Sequence, residues 1–149
     1  CMGIGFILIA YFIQTGTVSM TSFLVSVPLG ILVGAINMSN NIRDIKEDTI
    51  GGRKTLAILL GRDKAITVLA ISFIISYLWI IGLVILGEVS PWLLIVLLCV
   101  PKPIAAIKNF REGEGVPQKQ GLAMKSTAMT NTFFGFLLSI GLIIAYLMK

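Results

Sequence analysis

The sequence predicts an all-helical, polytopic membrane bundle forming a single domain over residues 1–149. Three observations predict it. Of the 149 residues, 56% are hydrophobic and only 13% are charged, against about a quarter charged in an ordinary soluble domain. The charges are missing from long apolar runs and crowded into two short stretches. The mean hydropathy is +0.96, and a soluble core this apolar would leave too little polar surface to cover it.

Five apolar segments follow in order. The first, from about Gly3 to Ile13, is shorter than the roughly 20 residues a spanning helix needs. It opens at Cys1-Met2-Gly3 without a basic leader region, so the expectation is that sequence precedes it; a lipid-modified Cys1 is the lesser alternative. The second segment runs from about Thr21 to Ser39, the third from Ala65 to Gly87, the fourth from Pro91 to Ile107, and the fifth from Ala123 to Leu147. The fourth is expected to end or kink at Pro101-Lys102-Pro103, because proline breaks the helical hydrogen-bond ladder.

The connections alternate in charge. Residues 14–20 and 88–90 hold no Lys or Arg. Residues 40–64 hold Arg43, Lys46, Arg53, Lys54, Arg62 and Lys64, and residues 102–125 hold Lys102, Lys108, Arg111, Lys119 and Lys125. The positive-inside tendency therefore places both long loops in the cytoplasm and Lys149 outside. The formal net charge of +5 is explained by orientation in the bilayer, and no nucleic-acid partner is expected. The two cysteines, Cys1 and Cys99, cannot build a disulfide framework, and there is no histidine, which removes the commonest general base and zinc ligand.

The chemistry concentrates in Asn37-Met38-Ser39-Asn40-Asn41-Ile42-Arg43-Asp44-Ile45-Lys46-Glu47-Asp48, which carries the second segment into the first basic loop. On a helix, Asn37, Asn41, Asp44 and Asp48 share one stripe, with Gly34 and Gly30 behind them. Two carboxylates one turn apart suit Mg²⁺, a hard ion that takes one or two carboxylates together with substrate phosphates. Gly51-Gly52-Arg53-Lys54-Thr55 follows; glycines allow close approach to a ligand, and Arg and Lys grip phosphate. Each feature has a plainer reading. The acids suit a solvated loop, the glycines a helix-packing face, and Arg53 and Lys54 a topology signal. Arg43 lies off the acidic stripe, so it reaches a neighbouring element or faces headgroups. Thr127, Thr130 and Asn131 read as helix–helix contacts, and Lys108 to Gln120 as a linker or cap.

Asn40-Asn41-Ile42-Arg43-Asp44-Ile45-Lys46-Glu47-Asp48, followed by Gly52-Arg53-Lys54-Thr55-Leu56-Ala57 and Leu60-Gly61, resembles the second aspartate-rich motif of the UbiA prenyltransferase superfamily. The Asn-Asn-x-Arg-Asp form is similar to the branch that prenylates 1,4-dihydroxy-2-naphthoate in menaquinone synthesis, as are Tyr11-Phe12-Ile13-Gln14-Thr15-Gly16 and Lys125-Ser126-Thr127-Ala128. The resemblance implies about nine transmembrane helices around a cavity open to the bilayer, about five of them here. It also implies a Mg²⁺-dependent transfer from polyprenyl diphosphate to the naphthoate at a bacterial cell membrane. By resemblance Asp44 and Asp48 are the catalytic and metal-binding acids, and Asn37, Asn40, Asn41, Arg43, Arg53 and Lys54 bind substrate. The first aspartate-rich motif of the family is absent from these residues, so this chain is expected to hold half of the site and to be inactive alone. Two other readings stay open: another acceptor of hydroxybenzoate, haem or chlorophyll type, or a non-enzymatic transporter or assembly subunit whose acids line an ion path.

Overall fold

A computed structural model describes residues 20–148. The first apolar segment, the motif at Tyr11–Gly16, Cys1 and Lys149 lie outside the described residues. Within them the chain is helical throughout, with no strand. The order is α1 (Met20–Arg43), α2 (Ile45–Ile50), α3 (Leu56–Leu60), α4 (Arg62–Ile85), a 3-10 helix (Pro91–Cys99), α5 (Pro101–Glu112) and α6 (Pro117–Leu147). Four stretches are long and apolar enough to cross a membrane: Met20–Arg43, Arg62–Ile85, Pro91–Glu112 and Pro117–Leu147. The chain is thus a multi-pass membrane protein, and its last four predicted segments are present.

Two boundaries refine the sequence reading. The fourth segment breaks at its prolines, as expected, and is not one helix but two. It runs as a 3-10 helix to Cys99, breaks at Val100 and resumes as α5. Pro101 and Pro103 stand in the first turn of α5, where their missing N–H groups have no intrahelical acceptor to lose. The second basic stretch is likewise not a loop: α5 reaches Glu112 and α6 starts at Pro117, so only residues 113–116 are non-helical. Pro117 opens α6 as Pro101 opens α5, and Lys108 meets Glu112 one turn on at 4.0 Å.

Packing follows from small and aromatic residues. Tyr77 of α4 faces Phe134 of α6, the two rings meeting edge-on at 5.4 Å and 67°. The Tyr77 hydroxyl lies 2.8 Å from Cys99 Sγ. Gly141 lets α6 touch the 3-10 helix backbone, since a Cβ there would stand 2.9 Å from the Trp92 carbonyl oxygen and 3.1 Å from Leu93 Cα. At one end of the bundle the basic stretches converge. Arg62 donates to the Ile42 and Phe110 carbonyls at 3.3 and 2.8 Å, and Lys119 to Glu112 at 3.3 Å.

Pro28 sits inside α1. It has no N–H, so the Leu24 carbonyl one turn back loses its helical donor. Trp79 of α4 replaces it, its indole Nε1–H donating to Leu24 O at 2.9 Å. Such a carbonyl is costly to leave unpaired in hydrocarbon. Trp79→Phe should therefore destabilise the protein by about 1–2 kcal/mol, seen as a lower thermal midpoint in detergent. In a Pro28→Ala background, where the backbone donor returns, the same substitution should cost less than half as much.

Candidate functional site

The helix α1 ends at Arg43 and α2 begins at Ile45, with Asp44 between them turned out of helical geometry (φ −96°, ψ 13°), yet two backbone bonds bridge the junction. The Asp44 N–H donates to Asn40 O at 2.9 Å and the Asp48 N–H to Asp44 O at 2.8 Å. This i to i+4 register carries the α1 face through the junction, so Asp44 and Asp48 stand one turn apart.

The end of α2 is built by Gly52. Its φ of +69° is the left-handed conformation that glycine adopts freely. The Gly52 N–H donates to Thr49 O at 3.2 Å and the Arg53 N–H to Asp48 O at 2.9 Å. These two bonds form the reversal that closes many helices with glycine. The reversal folds Arg53 back over the helix it has just left. Its guanidinium then pairs with Asp48 Oδ1 at 3.2 Å. Asp48 is buried, its side chain 11% exposed, whereas that of Arg53 is 76% exposed.

Asp44 is held differently. Arg43 grips it with two arms, Nε to Oδ1 at 2.5 Å and Nη2 to Oδ2 at 2.7 Å. The third nitrogen of Arg43, Nη1, reaches Met124 Sδ on α6 at 2.8 Å. Arg43 thus does not simply face the bilayer surface; it turns onto its neighbour in sequence and also reaches across to α6. The Asp44 carboxyl is held below its ordinary value, chiefly by the hydrogen bond to Arg43, which outweighs the opposing effect of burial, with the charges of Arg43 and Arg53 adding to it. Arg53 therefore acts on both acids, and the structure gathers Arg43, Asp44, Asp48 and Arg53 into one cluster.

The remaining predicted residues are spread around it. Asn40 is half-buried, and its carboxamide Oδ1 is buried with no hydrogen-bond partner. Asn41 is half-buried, while Asn37 and Lys54 are exposed. Gly34 is exposed, and a Cβ there would meet nothing within 4 Å, so no described helix packs on it. Thr127 serves as a helix contact, lying 3.4 Å from Ser39 of α1. Sequence reasoning missed Met124 and Arg62. A methionine in an apolar helix carries no signal, and Arg62 read only as one of six basic residues.

The groups here able to bind a cation are the hard oxygens of two carboxylates and of neighbouring carboxamides, while Arg43 and Arg53 can only donate hydrogen bonds. Among the described residues no three His, Cys, Asp or Glu come together as a metal cage. A hard divalent ion completed by waters and phosphate oxygens fits such a sparse set.

Comparison with known proteins agrees. Residues 1–125 match the model of the UbiA prenyltransferase family. The chain is 62% identical over 146 residues to a 1,4-dihydroxy-2-naphthoate octaprenyltransferase of Bacillus subtilis (strain 168), covering 98% of this chain and 47% of that protein. It is 35% identical to a UbiA prenyltransferase domain-containing protein 1 homolog of Drosophila melanogaster over 88% of the chain and 35% of that protein. It is 28% identical to the protein of the same name in Dictyostelium discoideum over 97% of the chain and 42% of that protein. The chain thus spans about half, or less, of the length of these relatives. No solved structure matches it. With a helical membrane bundle, an aspartate pair in helical register and a family match over most of its length, the chain belongs to the UbiA prenyltransferase family.

Proposed function

We propose that this chain supplies the second aspartate-rich segment of an enzyme that transfers a polyprenyl group from its diphosphate to 1,4-dihydroxy-2-naphthoate. The observation that carries the reading is the pair of i to i+4 backbone bonds from Asn40 through Asp44 to Asp48, with the basic pair Arg53 and Lys54 at the turn after it. The identity to the Bacillus naphthoate octaprenyltransferase supports this acceptor over the hydroxybenzoate, haem and chlorophyll types.

In this reading the allylic C–O bond breaks and its electron pair leaves with diphosphate. The electron-rich ring carbon forms the new C–C bond, and the ring loses its carboxylate as carbon dioxide. Asp44 and Asp48 would hold Mg²⁺, with Asn40 and Asn41 as neighbouring oxygen donors. When bound, the ion would supply neutralisation of the charge that builds on the leaving group. Arg53 and Lys54 grip the phosphate oxygens. Arg43 occupies both oxygens of Asp44, so it would have to share or release that carboxylate for Asp44 to hold a cation. The basic end of the bundle is placed in the cytoplasm of a bacterial cell, at the plasma membrane, where soluble diphosphate and aromatic acid arrive. The prenyl tail and lipid product stay among the helices.

The test is the full-length protein in membranes, given dihydroxynaphthoate and a polyprenyl diphosphate. Asp44→Asn and Asp48→Asn should each lower turnover by roughly 100-fold or more, as removing one group that stabilises developing charge does, while insertion is unchanged. A chelator should abolish turnover and Mg²⁺ restore it. Normal turnover in both variants refutes the assignment. A pH titration tests the Arg43 grip separately. Because the folded Asp44 carboxyl lies below its ordinary value, the stability it contributes is present above the unfolded value and lost as pH falls through the folded one. The stability gap between the wild type and Arg43→Leu should hold steady from pH 7 to about 5 and close on further acidification.

A further inference from the structure

A groove of about 460 Å³ runs between α4 and α5, with no residue of α1 or α2 in its lining. Its α4 wall is Ala70, Phe73, Ile74 and Tyr77, and its other wall includes Val100, at the break before α5, with Pro103, Ile104 and Ile107 of α5. Each set recurs at three- and four-residue spacing, so two helical stripes face one another along the bundle axis. The apolar wall gives way at one end to Lys108, Arg111 and Glu112. From Val100 to Arg111 the chain rises about 16 Å, close to half of the roughly 30 Å hydrocarbon core. The groove is therefore one leaflet deep, with its charges at the level of the headgroups.

The charges do not cancel. Glu112 is shared between Lys119 at 3.3 Å and Lys108 at 4.0 Å. Arg111 has no ion-pair or hydrogen-bond partner among the described residues, although it lines a small neighbouring pocket with Asp63. Three cations stand against two acids. An apolar slot the depth of a leaflet selects a hydrocarbon chain, and the surplus cations at its mouth select an anion on that chain. There is no aspartate pair here in helical register to hold a metal-bound diphosphate. We propose that this groove binds an anionic phospholipid, with one acyl chain between α4 and α5 and the headgroup phosphate on Lys108 and Arg111. The proposal does not rest on the prenyltransferase reading.

The test uses the full-length protein purified from vesicles of mixed phosphatidylcholine and phosphatidylglycerol, with retained lipid counted by native mass spectrometry. Phosphatidylglycerol should be retained over phosphatidylcholine. The double variant Lys108→Gln/Arg111→Gln should weaken its retention by about 30-fold at low ionic strength, at roughly tenfold or less per cation. Ala70→Trp, which fills the groove, should displace it as well. Ile104→Trp, at an exposed position on the opposite wall, serves if the first variant fails to fold. Equal retention of the two lipids, or unchanged phosphatidylglycerol in every variant, overturns the proposal. Loss in the charge variant alone means surface attraction without a groove and also overturns it. Displacement of phosphatidylglycerol by farnesyl diphosphate in an Asp44→Asn background assigns the groove to a prenyl donor instead, and overturns it too.

Discussion

The guanidinium of Arg62 ties the polar end of this bundle together. Helix termini leave backbone groups without intrahelical partners, and near a bilayer those groups lack water to fall back on. Arg62, at the start of α4, donates to a carbonyl near the end of α1 and to one in the last turn of α5. The positive end of one helix and a full positive charge thereby meet the negative ends of two others. Ile42, whose carbonyl it holds, stands two residues before Asp44. Where the acidic pair sits relative to α5 is thus set by a residue that belongs to neither the pair nor the motif around it.

The same accounting of backbone groups explains the other irregular points. At Pro28 the missing donor is made good by Trp79 of α4, so a break in one helix becomes a fixed contact with the next. At Gly52 the reversal satisfies the last carbonyls of α2 and in doing so brings Arg53 onto Asp48. The Asp48–Arg53 pair is a by-product of helix closure. It places a buried carboxylate and an exposed cation side by side, and this orients Asp48 while leaving the cation accessible.

Much of this was legible in the sequence because the signals are local and strong. Charge-free runs of about 20 residues read directly as spans, and the spacing of Asp44 and Asp48 gave their shared face. The α5–α6 connection misled because basic, glycine-bearing sequence looks like loop. In fact Pro101 and Pro117 start helices, and the charges on α5 lie on its exposed side. The break at Val100 was signalled by two prolines, but the 3-10 winding before it was not, since nothing in Pro91–Cys99 distinguishes it from an α-helical apolar run. What joins distant residues stayed hidden. The contacts of Arg43 with Met124, Arg62 with Phe110 and Ser39 with Thr127 span 81, 48 and 88 positions, and no periodicity reports them.

The two faces of α1 show how the site is organised. Leu32, Ala35, Ser39 and Ile42 are buried against the other described helices. Gly34, Asn37, Asn41 and Asp44 follow two positions behind, which on a helix is a rotation of about 200°. The row of small and polar side chains thus points away from the core that α1 helps to build. Carboxamides along a membrane helix are costly toward lipid and are kept where polar matter meets them. Below the acids, Gly34 leaves room rather than filling it. In the proposed reading, a diphosphate held through a cation at Asp44 and Asp48, with its apolar chain along the glycine stretch, matches this gradient in both chemistry and direction. The polarity of α1 therefore changes along its length in the same order as that of a polyprenyl diphosphate.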